Sequence, residues 1–281
     1  MIKCQKDKSE ERKMKKFLCV ITVVLMLAVM LAGCGSANAD VDDWSYIEEK
    51  GEMVIGYTLY EPMNYTDNDG NFTGFDTEFA EAVCEKLGVT PKFVEINWDT
   101  KVVELDAKSL DCIWNGMTIN DELKANLSIS LPYVKNMQVI VIRTEDAALY
   151  TDTATLSGST IVAETGSAGE AVIVGDANLA ANYLTVTKQT DALLEVKAGT
   201  ADAAVLDWTL AKSMVGAGTD YEDLQMISGL ELSMEEYGIG FRKGSTACDK
   251  VNEAIKALVA DGTLPALAEK YGLSLAPAIA Q

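Results

Sequence analysis

Groups able to hold a small charged molecule follow several predicted strands. Residues 115–118 leave a strand through Gly116, which has no side chain and lets a ligand approach the backbone closely. Residues 166–169 open a predicted helix, whose free N–H groups and Ser167 hydroxyl could hold a carboxylate or simply cap the helix. Asp207 closes another strand, where its carboxylate suits a cation. Because ligands sit beyond the carboxyl ends of strands in open α/β sheets, these segments predict a ligand site.

The sequence contains no histidine, and this removes several classes of enzyme. Ser-His-Asp and Cys-His nucleophiles and the usual zinc-protease helix all need an imidazole. Chemistry by carboxylates alone stays open, but acidic residues are so common here that chance pairs are abundant. We therefore expect a protein that is not an enzyme and needs no cofactor and no metal.

One acidic turn has only part of the pattern of a calcium loop. Polar residues from Asp67 to Glu78 have the ligand spacing of such a loop, but Phe72 stands where the sharp turn requires glycine. We interpret this turn as a connection between two strands.

The N-terminus predicts an exported lipoprotein. A nearly unbroken apolar run over residues 17–33 follows three lysines and ends in Leu-Ala-Gly-Cys, where a signal peptidase would cut and Cys34 would take the lipid. We predict a signal peptide over residues 1–33, with Met14 as an alternative start, and a tether over residues 34–40. A transmembrane anchor is the competing interpretation, because about 18 apolar residues can span a bilayer.

Three cysteines stay in the exported chain after the lipidated one. Cys84 and Cys112 lie in apolar patterns and are interpreted as small buried hydrophobic residues, although a disulfide between them stays open, and Cys248 is the third.

The exported chain is strongly acidic. Residues 34–281 keep 16 of the 23 Lys and Arg and 40 of the 43 Asp and Glu, a net charge of −24. Such a surface repels phosphate backbones and anionic lipid heads, so we expect no nucleic-acid partner and membrane attachment only through Cys34. The length suffices for one large or two modest domains.

Strand-like and helix-like patterns alternate from residue 53 onward. This alternation predicts open α/β sheets. The predicted strands are 53–57, 93–96, 110–114, 160–163, 184–186 and 203–206, and the predicted helices are 76–87, 101–108, 167–174 and 190–198.

Ordered blocks extend over nearly the whole exported chain: residues 56–62, 74–76, 98–99, 115–119, 166–167, 205–207, 236–244 and 251–271. Together they resemble the family 3 solute-binding proteins that feed amino-acid ABC importers. The resemblance implies an α/β, two-lobed, periplasmic-binding-protein-like (type II) fold with two hinge crossovers, near residues 138–143 and 237–241. It places the first lobe at 41–137 plus 236–281 and the second lobe at 138–235.

The resemblance also implies roles for residues of the first lobe. Tyr60 and Trp98 would stack on the ligand, with a loop tyrosine and a core tryptophan as the alternatives. The segment that begins at Asn115 would contact the ligand through the Gly116 carbonyl and through the amide and hydroxyl of Thr118.

One position departs from the family pattern. Relatives usually carry an arginine that clamps the α-carboxylate of the ligand, and Leu123 stands there in this sequence. The adjacent Lys124 points about 100° away on a helix. Asp207 would accept the ligand's ammonium group, and Ser167 would face its carboxylate. Because Glu164 and Glu61 add negative charge, we expect a cationic or polar amino acid, or a related amine, and not an acidic one.

The resemblance implies a monomeric extracytoplasmic protein, lipid-anchored to the membrane, that closes over its ligand and presents it to transmembrane ABC permease subunits. A ligand-sensing lipoprotein and a small dehydratase-like lyase are the alternatives on the same fold. The lyase would need a positioned acid, such as Glu164.

Overall fold

The computed structural model describes residues 42–280. Two open sheets form its framework. The strands are, in chain order, β1 Glu52–Tyr57, β2 Tyr65–Thr66, β3 Phe72–Thr73, β4 Thr90–Glu95, β5 Cys112–Ile113, β6 Leu127–Ile129, β7 Val134–Arg143, β8 Ile161–Glu164, β9 Tyr183–Val186, β10 Ala203–Asp207, β11 Leu224–Met226, β12 Ser233–Tyr237 and β13 Gly240–Arg242. The helices are α1 Asp43–Lys50, α2 Phe75–Leu87, α3 Lys101–Asp106, α4 Asp121–Asn126, α5 Ala168–Gly175, α6 Gln189–Ala198, α7 Trp208–Met214, α8 Thr246–Ala260 and α9 Thr263–Lys270.

The first lobe is built on a five-stranded sheet in the order β4-β1-β5-β13-β6. Strand β1 is parallel to β4 and β5, whereas β13 is antiparallel to its neighbours. Helices α2, α8 and α9 pack together on this sheet, and α8 turns Val251, Ile255 and Leu258 into the core. The Arg242 guanidinium is buried there against Asp43, with 3.3 Å between Nη2 and Oδ2.

The second lobe is built on a sheet in the order β11-β7-β10-β8-β9, with β12 paired to β7. Strands β8, β9 and β10 are parallel, and β7 is antiparallel to β10, β11 and β12. Helices α5, α6 and α7 pack on this sheet. Its separate apolar cluster includes Ile140, Ile142, Ile161 and Ile173.

Two neighbouring segments connect the lobes. Strand β7 begins at Val134, which pairs with Tyr237 at the end of β12, and the chain then returns to the first sheet at Gly240. The predicted two-lobed α/β fold with two crossovers is confirmed. The predicted lobe limits at residues 137/138 and 235/236 remain a prediction.

The predicted elements differ from the observed ones mainly at their ends. Strand β4 begins at Thr90, before the predicted residue 93, because its whole length pairs with β1. The acidic turn connects β2 to β3, and the Asp67 carboxylate accepts the backbone N–H groups of Asp69 and Asn71 at 3.0 and 2.8 Å. That carboxylate therefore closes the turn.

The sequence left two questions open, namely whether Cys84 and Cys112 form a disulfide and whether the chain has a transmembrane anchor. Cys84, Cys112 and Cys248 are buried free thiols. Within residues 42–280, no helix is both long enough and apolar enough to cross a bilayer. The predicted signal peptide, Cys34 and the tether lie outside the described residues.

Candidate functional site

A narrow cleft lies between the two lobes. Loops at the carboxyl ends of strands from both sheets form its walls. Its lining residues are Tyr60, Trp98, Lys101, Asn115, Gly116, Met117, Thr118, Asn120, Leu123, Glu164, Gly166, Ser167, Ala168, Gln189 and Asp207. Eight of the nine side chains or backbone segments predicted for ligand binding therefore meet in one place, and Glu61 is the exception.

Asp207 lines the cleft, at the end of β10. Asn136 and Gln138 of β7 donate to its Oδ1 at 2.5 and 2.7 Å, and Gln189 donates to its Oδ2. The same two amides donate to Oε1 of Glu235 at 2.5 and 2.8 Å. Burial raises the pKa of Asp207, and it raises the pKa of Glu235 to about 8, helped by the nearby charge of Asp207.

Glu164 forms a second acidic point in the cleft, at the end of β8. Its side chain is 3 % exposed, and its Oε1 has no hydrogen-bond partner among the described residues. Burial raises the pKa of Glu164 to about 8, with a further contribution from the charge of Asp207. A ligand N–H group can therefore gain an acceptor that the protein leaves unpaired.

The segment after β5 brings backbone groups to the cleft. Gly116 has φ +57°, and a Cβ there would lie 2.7 Å from Cε1 of Tyr60, so only glycine fits. Its N–H donates to the buried Asp76 carboxylate at 2.7 Å. The Asn115 side chain is engaged by Thr58 and Asn64, at 2.7–2.8 Å. Thus Asn115 fixes the loops of the first lobe through its side chain.

Thr118 faces both the cleft and the hinge. It pairs with Tyr237 through hydrogen bonds made by its neighbours, from Ile119 N to Glu236 O and from Gly238 N to Met117 O. The N–H of Thr118 therefore points away from the hinge strand. Its hydroxyl donates to Glu235 Oε1 at 2.8 Å.

The predicted stacking residues have additional partners. The Tyr60 ring lines the cleft, and its hydroxyl is bonded to Tyr237 at 2.5 Å and to Thr209 of the second lobe. Trp98 also lines the cleft, and the ammonium group of Lys101 lies 4.7 Å from its ring centroid. Both rings are therefore largely buried in the closed arrangement of the lobes.

The helix start in the second lobe is an ordinary N-cap as well as a cleft wall. The Ser167 hydroxyl accepts the N–H of Glu170 at 3.1 Å. The Glu170 carboxylate in turn accepts the N–H of Gly166 at 2.7 Å. The N–H of Gly166 therefore already donates to a carboxylate of the protein.

Two charged residues considered from the sequence lie elsewhere. The Glu61 carboxylate accepts the Ser213 hydroxyl of the second lobe at 2.8 Å and lies outside the cleft lining. Lys124 is exposed, and its Nζ lies 3.4 Å from Asp121. Leu123, by contrast, lines the cleft and is 9 % exposed.

The sequence interpretation missed Lys101, Gln189 and Glu235. Lys101 had a readable signal, because it lies four residues before the buried Leu105 on the same face of α3. Glu235 precedes a recognised block by one residue, but its role depends on the pairing of β12 with β7.

Comparisons with known proteins agree with this architecture. The sequence model of "Bacterial extracellular solute-binding proteins, family 3" matches residues 53–274. The L-cystine-binding protein TcyJ of Escherichia coli is 28% identical over 251 residues, 88% of this chain and 92% of that protein.

Two solved structures extend the comparison. The P235GK mutant of the T. maritima protein ArgBP has a TM-score of 0.75 and 33% identity, covering 81% of this chain and 98% of that one. The ancestral amino acid-binding protein AncCDT-1, a precursor of cyclohexadienyl dehydratase, has a TM-score of 0.74 and 27% identity, covering 82% and 99%. The chain belongs to the bacterial extracellular solute-binding proteins of family 3.

Proposed function

We propose that this protein is the extracytoplasmic, lipid-anchored solute-binding component of an ABC importer. It captures a small cationic or polar amino acid, or a related amine, when its lobes close. The membership in family 3 supports the transport role, and Cys34 supports the anchor.

One observation carries the preference for cations. The buried Glu164 carboxylate has an oxygen without a partner among the described residues, and its pKa is raised partly by Asp207. A ligand ammonium or guanidinium group would supply both a donor and a neutralising charge. Leu123, which lines the cleft, offers an acidic ligand no hydrogen-bond donor and no positive charge.

Contacts between the lobes support capture by closure. Lys188 donates to Glu95 at 2.5 Å, Ser213 donates to Glu61 at 2.8 Å, and Lys212 donates to the carbonyl of Gly272 at 2.9 Å. These bonds join loops and helices on opposite sides of the cleft, so they exist only when the lobes are together. Ligand binding and lobe closure therefore favour each other.

A thermal-shift screen of amino acids and amines, followed by calorimetry, tests the proposal. A ligand present at 100 times its Kd adds about 2.7 kcal/mol to stability. We expect L-arginine or another cationic or polar amino acid to raise the Tm, and L-glutamate to have a smaller effect. Tighter binding of L-glutamate than of every cationic candidate would contradict the proposed ligand class.

A lyase on the same fold is the second candidate, and Glu164 is the observation that favours it. A carboxyl with a pKa of about 8 is available as an acid at neutral pH. Incubation of the bound amino acid with the protein distinguishes the two functions, because a binding protein returns its ligand chemically unchanged.

A further inference from the structure

Lys101 occupies an unusual place in the cleft. Its side chain lines the cleft and is only 7 % exposed. Its Nζ donates to the carbonyl of Trp98 and to the carbonyl of Gly166, both at 3.0 Å. The first acceptor belongs to the first lobe and the second to the second lobe, so the ammonium group lies where the lobes meet.

The ammonium group of Lys101 has two hydrogen-bond acceptors and lies 4.7 Å from the centroid of the Trp98 ring. An ammonium has three N–H groups, and within residues 42–280 only the two carbonyl oxygens accept from it. Burial lowers the pKa of Lys101, and the charge of Glu164 opposes that effect. Because isolated buried charges are costly, an anionic partner for this ammonium group would stabilise the closed site.

The cleft is lined by acidic side chains and by one basic side chain. Asp207 and Glu164 are the acidic groups of the cleft lining, and Lys101 is the one Lys or Arg among the described residues that line the cleft. Leu123 lies in the same wall, where the family pattern has its arginine. The basic side chain of the cleft therefore comes from helix α3, whereas Leu123 lies on helix α4.

We propose that Lys101 holds the carboxylate of the ligand, in place of the arginine that Leu123 replaces. This inference rests on the proposed function and narrows it. The ligand is then an amino acid with a free carboxylate, and not a simple amine. Gly166 O fixes the ammonium of Lys101 at the closed interface, so the carboxylate is bound when the lobes meet.

The test compares amino acids with their neutral carboxamides. Calorimetry measures the Kd of L-arginine, L-histidine and L-cystine, and of the carboxamide of each, for the wild type, Lys101→Met and Lys124→Met. Methionine keeps the length of the lysine stem without its charge. Lys124→Met is the matched control, because that lysine is exposed and lies outside the cleft.

We expect the wild type to prefer an acid over its carboxamide by about 10- to 100-fold, as for one hydrogen bond between charged groups. Lys101→Met should reduce this ratio to about threefold or less, whereas Lys124→Met should keep it. A purely structural role of Lys101 would weaken both ligands equally and leave the ratio unchanged. Lys101→Gln serves as a second variant if Lys101→Met does not fold.

The outcomes separate this inference from the proposed function. A wild type that binds the carboxamide as well as the acid overturns the role of Lys101 alone, and so does a folded Lys101 variant that keeps the preference. If a simple amine binds the wild type and no amino acid does, this inference fails and the proposed function stands. If no amino acid, carboxamide or amine binds, the proposed function itself fails, and this inference fails with it.

Discussion

Asp207 and Glu235 accept hydrogen bonds from the same two amide side chains, those of Asn136 and Gln138. The pairing of β7 with its neighbours explains this arrangement, because Asn136 lies opposite Glu235 and Gln138 lies opposite Asp207. The two carboxylates therefore lie on either side of one hinge strand, and the charge of Asp207 disfavours ionisation of Glu235.

Asp207→Asn should weaken binding of L-arginine by about 10- to 100-fold, because a charge-assisted hydrogen bond becomes a neutral one. Calorimetry measures the Kd, and a thermal melt confirms that the variant folds. Asp220→Asn is the control, since Asp220 is exposed on the second lobe. An unchanged Kd for Asp207→Asn would remove Asp207 from the ligand site.

The stability of the ligand-free protein should fall as the pH rises from about 5 to 8. Burial raises the pKa of Asp76 to about 7 and those of Glu164 and Glu235 to about 8, well above their ordinary values. Between the ordinary and raised pKa values the folded state holds more protons than the unfolded state, so raising the pH favours unfolding. Urea unfolding across this pH range measures the effect.

Glu164→Gln should make that pH dependence shallower, because glutamine resembles the protonated carboxyl and cannot ionise. The variant should be more stable than the wild type at pH 8 and about equal to it at pH 5. Glu145→Gln, at an exposed position, is the control. Equal slopes for the wild type and Glu164→Gln would show that Glu164 does not carry the effect.

Binding of L-arginine at pH 7 should release protons. A bound cation favours the ionised form of Glu164 and lowers its raised pKa, so affinity should increase from pH 6 to pH 8 and then level off. Titrations in buffers of different ionisation enthalpy measure the number of protons released. Proton uptake at pH 7 would be inconsistent with this charge arrangement.

Leu123→Arg should improve binding of L-glutamate by about tenfold or more, since the new guanidinium would lie in the cleft wall and supply a bidentate carboxylate partner. Leu123→Met, a neutral change of similar size, should give no gain. Titration of both variants with L-glutamate checks the prediction. No gain with a folded arginine variant would mean that position 123 does not reach the ligand.

Glu61→Gln should change the Kd of L-arginine by no more than about threefold, because the glutamine carbonyl can still accept the Ser213 hydroxyl. Ser213→Ala should weaken cationic and neutral ligands by the same small factor, as expected for a contact that favours closure alone. If Glu61→Gln instead weakened the binding of cationic ligands alone by more than tenfold, Glu61 would contact the ligand directly.

The sequence predicted the parts of the fold that depend on local patterns. Strand β1, helix α2 and strand β10 lie within one residue of their predicted limits, because apolar periodicity and the glycine stop of α2 are local signals. The pairing partners of β7 are not local. Whether Asn136, Gln138 and Glu235 meet depends on strand register, which the sequence of one strand does not contain.

The candidate site was also predicted where local patterns define it and missed where it depends on side-chain direction. Residues in recognised blocks, such as Gly116, Ser167 and Asp207, line the cleft. Glu61 was predicted from its neighbour Tyr60, but adjacent residues outside a helix need not face the same way, and Glu61 reaches Ser213 instead. Lys101 was overlooked because a lysine on a short helix is usually exposed to solvent. The Lys101 ammonium instead donates to the carbonyls of Trp98 and Gly166.

The free cysteines give the first lobe a built-in reporter of its own opening. All three belong to that lobe, on α2, β5 and α8, and burial raises the pKa of Cys84 and Cys248 to about 12. Alkylating dyes react with the thiolate, so they label these positions only after the helical layer has separated from its sheet. For a chain that begins after Cys34, the labelling rate therefore measures local opening of the first lobe. Motions within the second lobe do not change this rate.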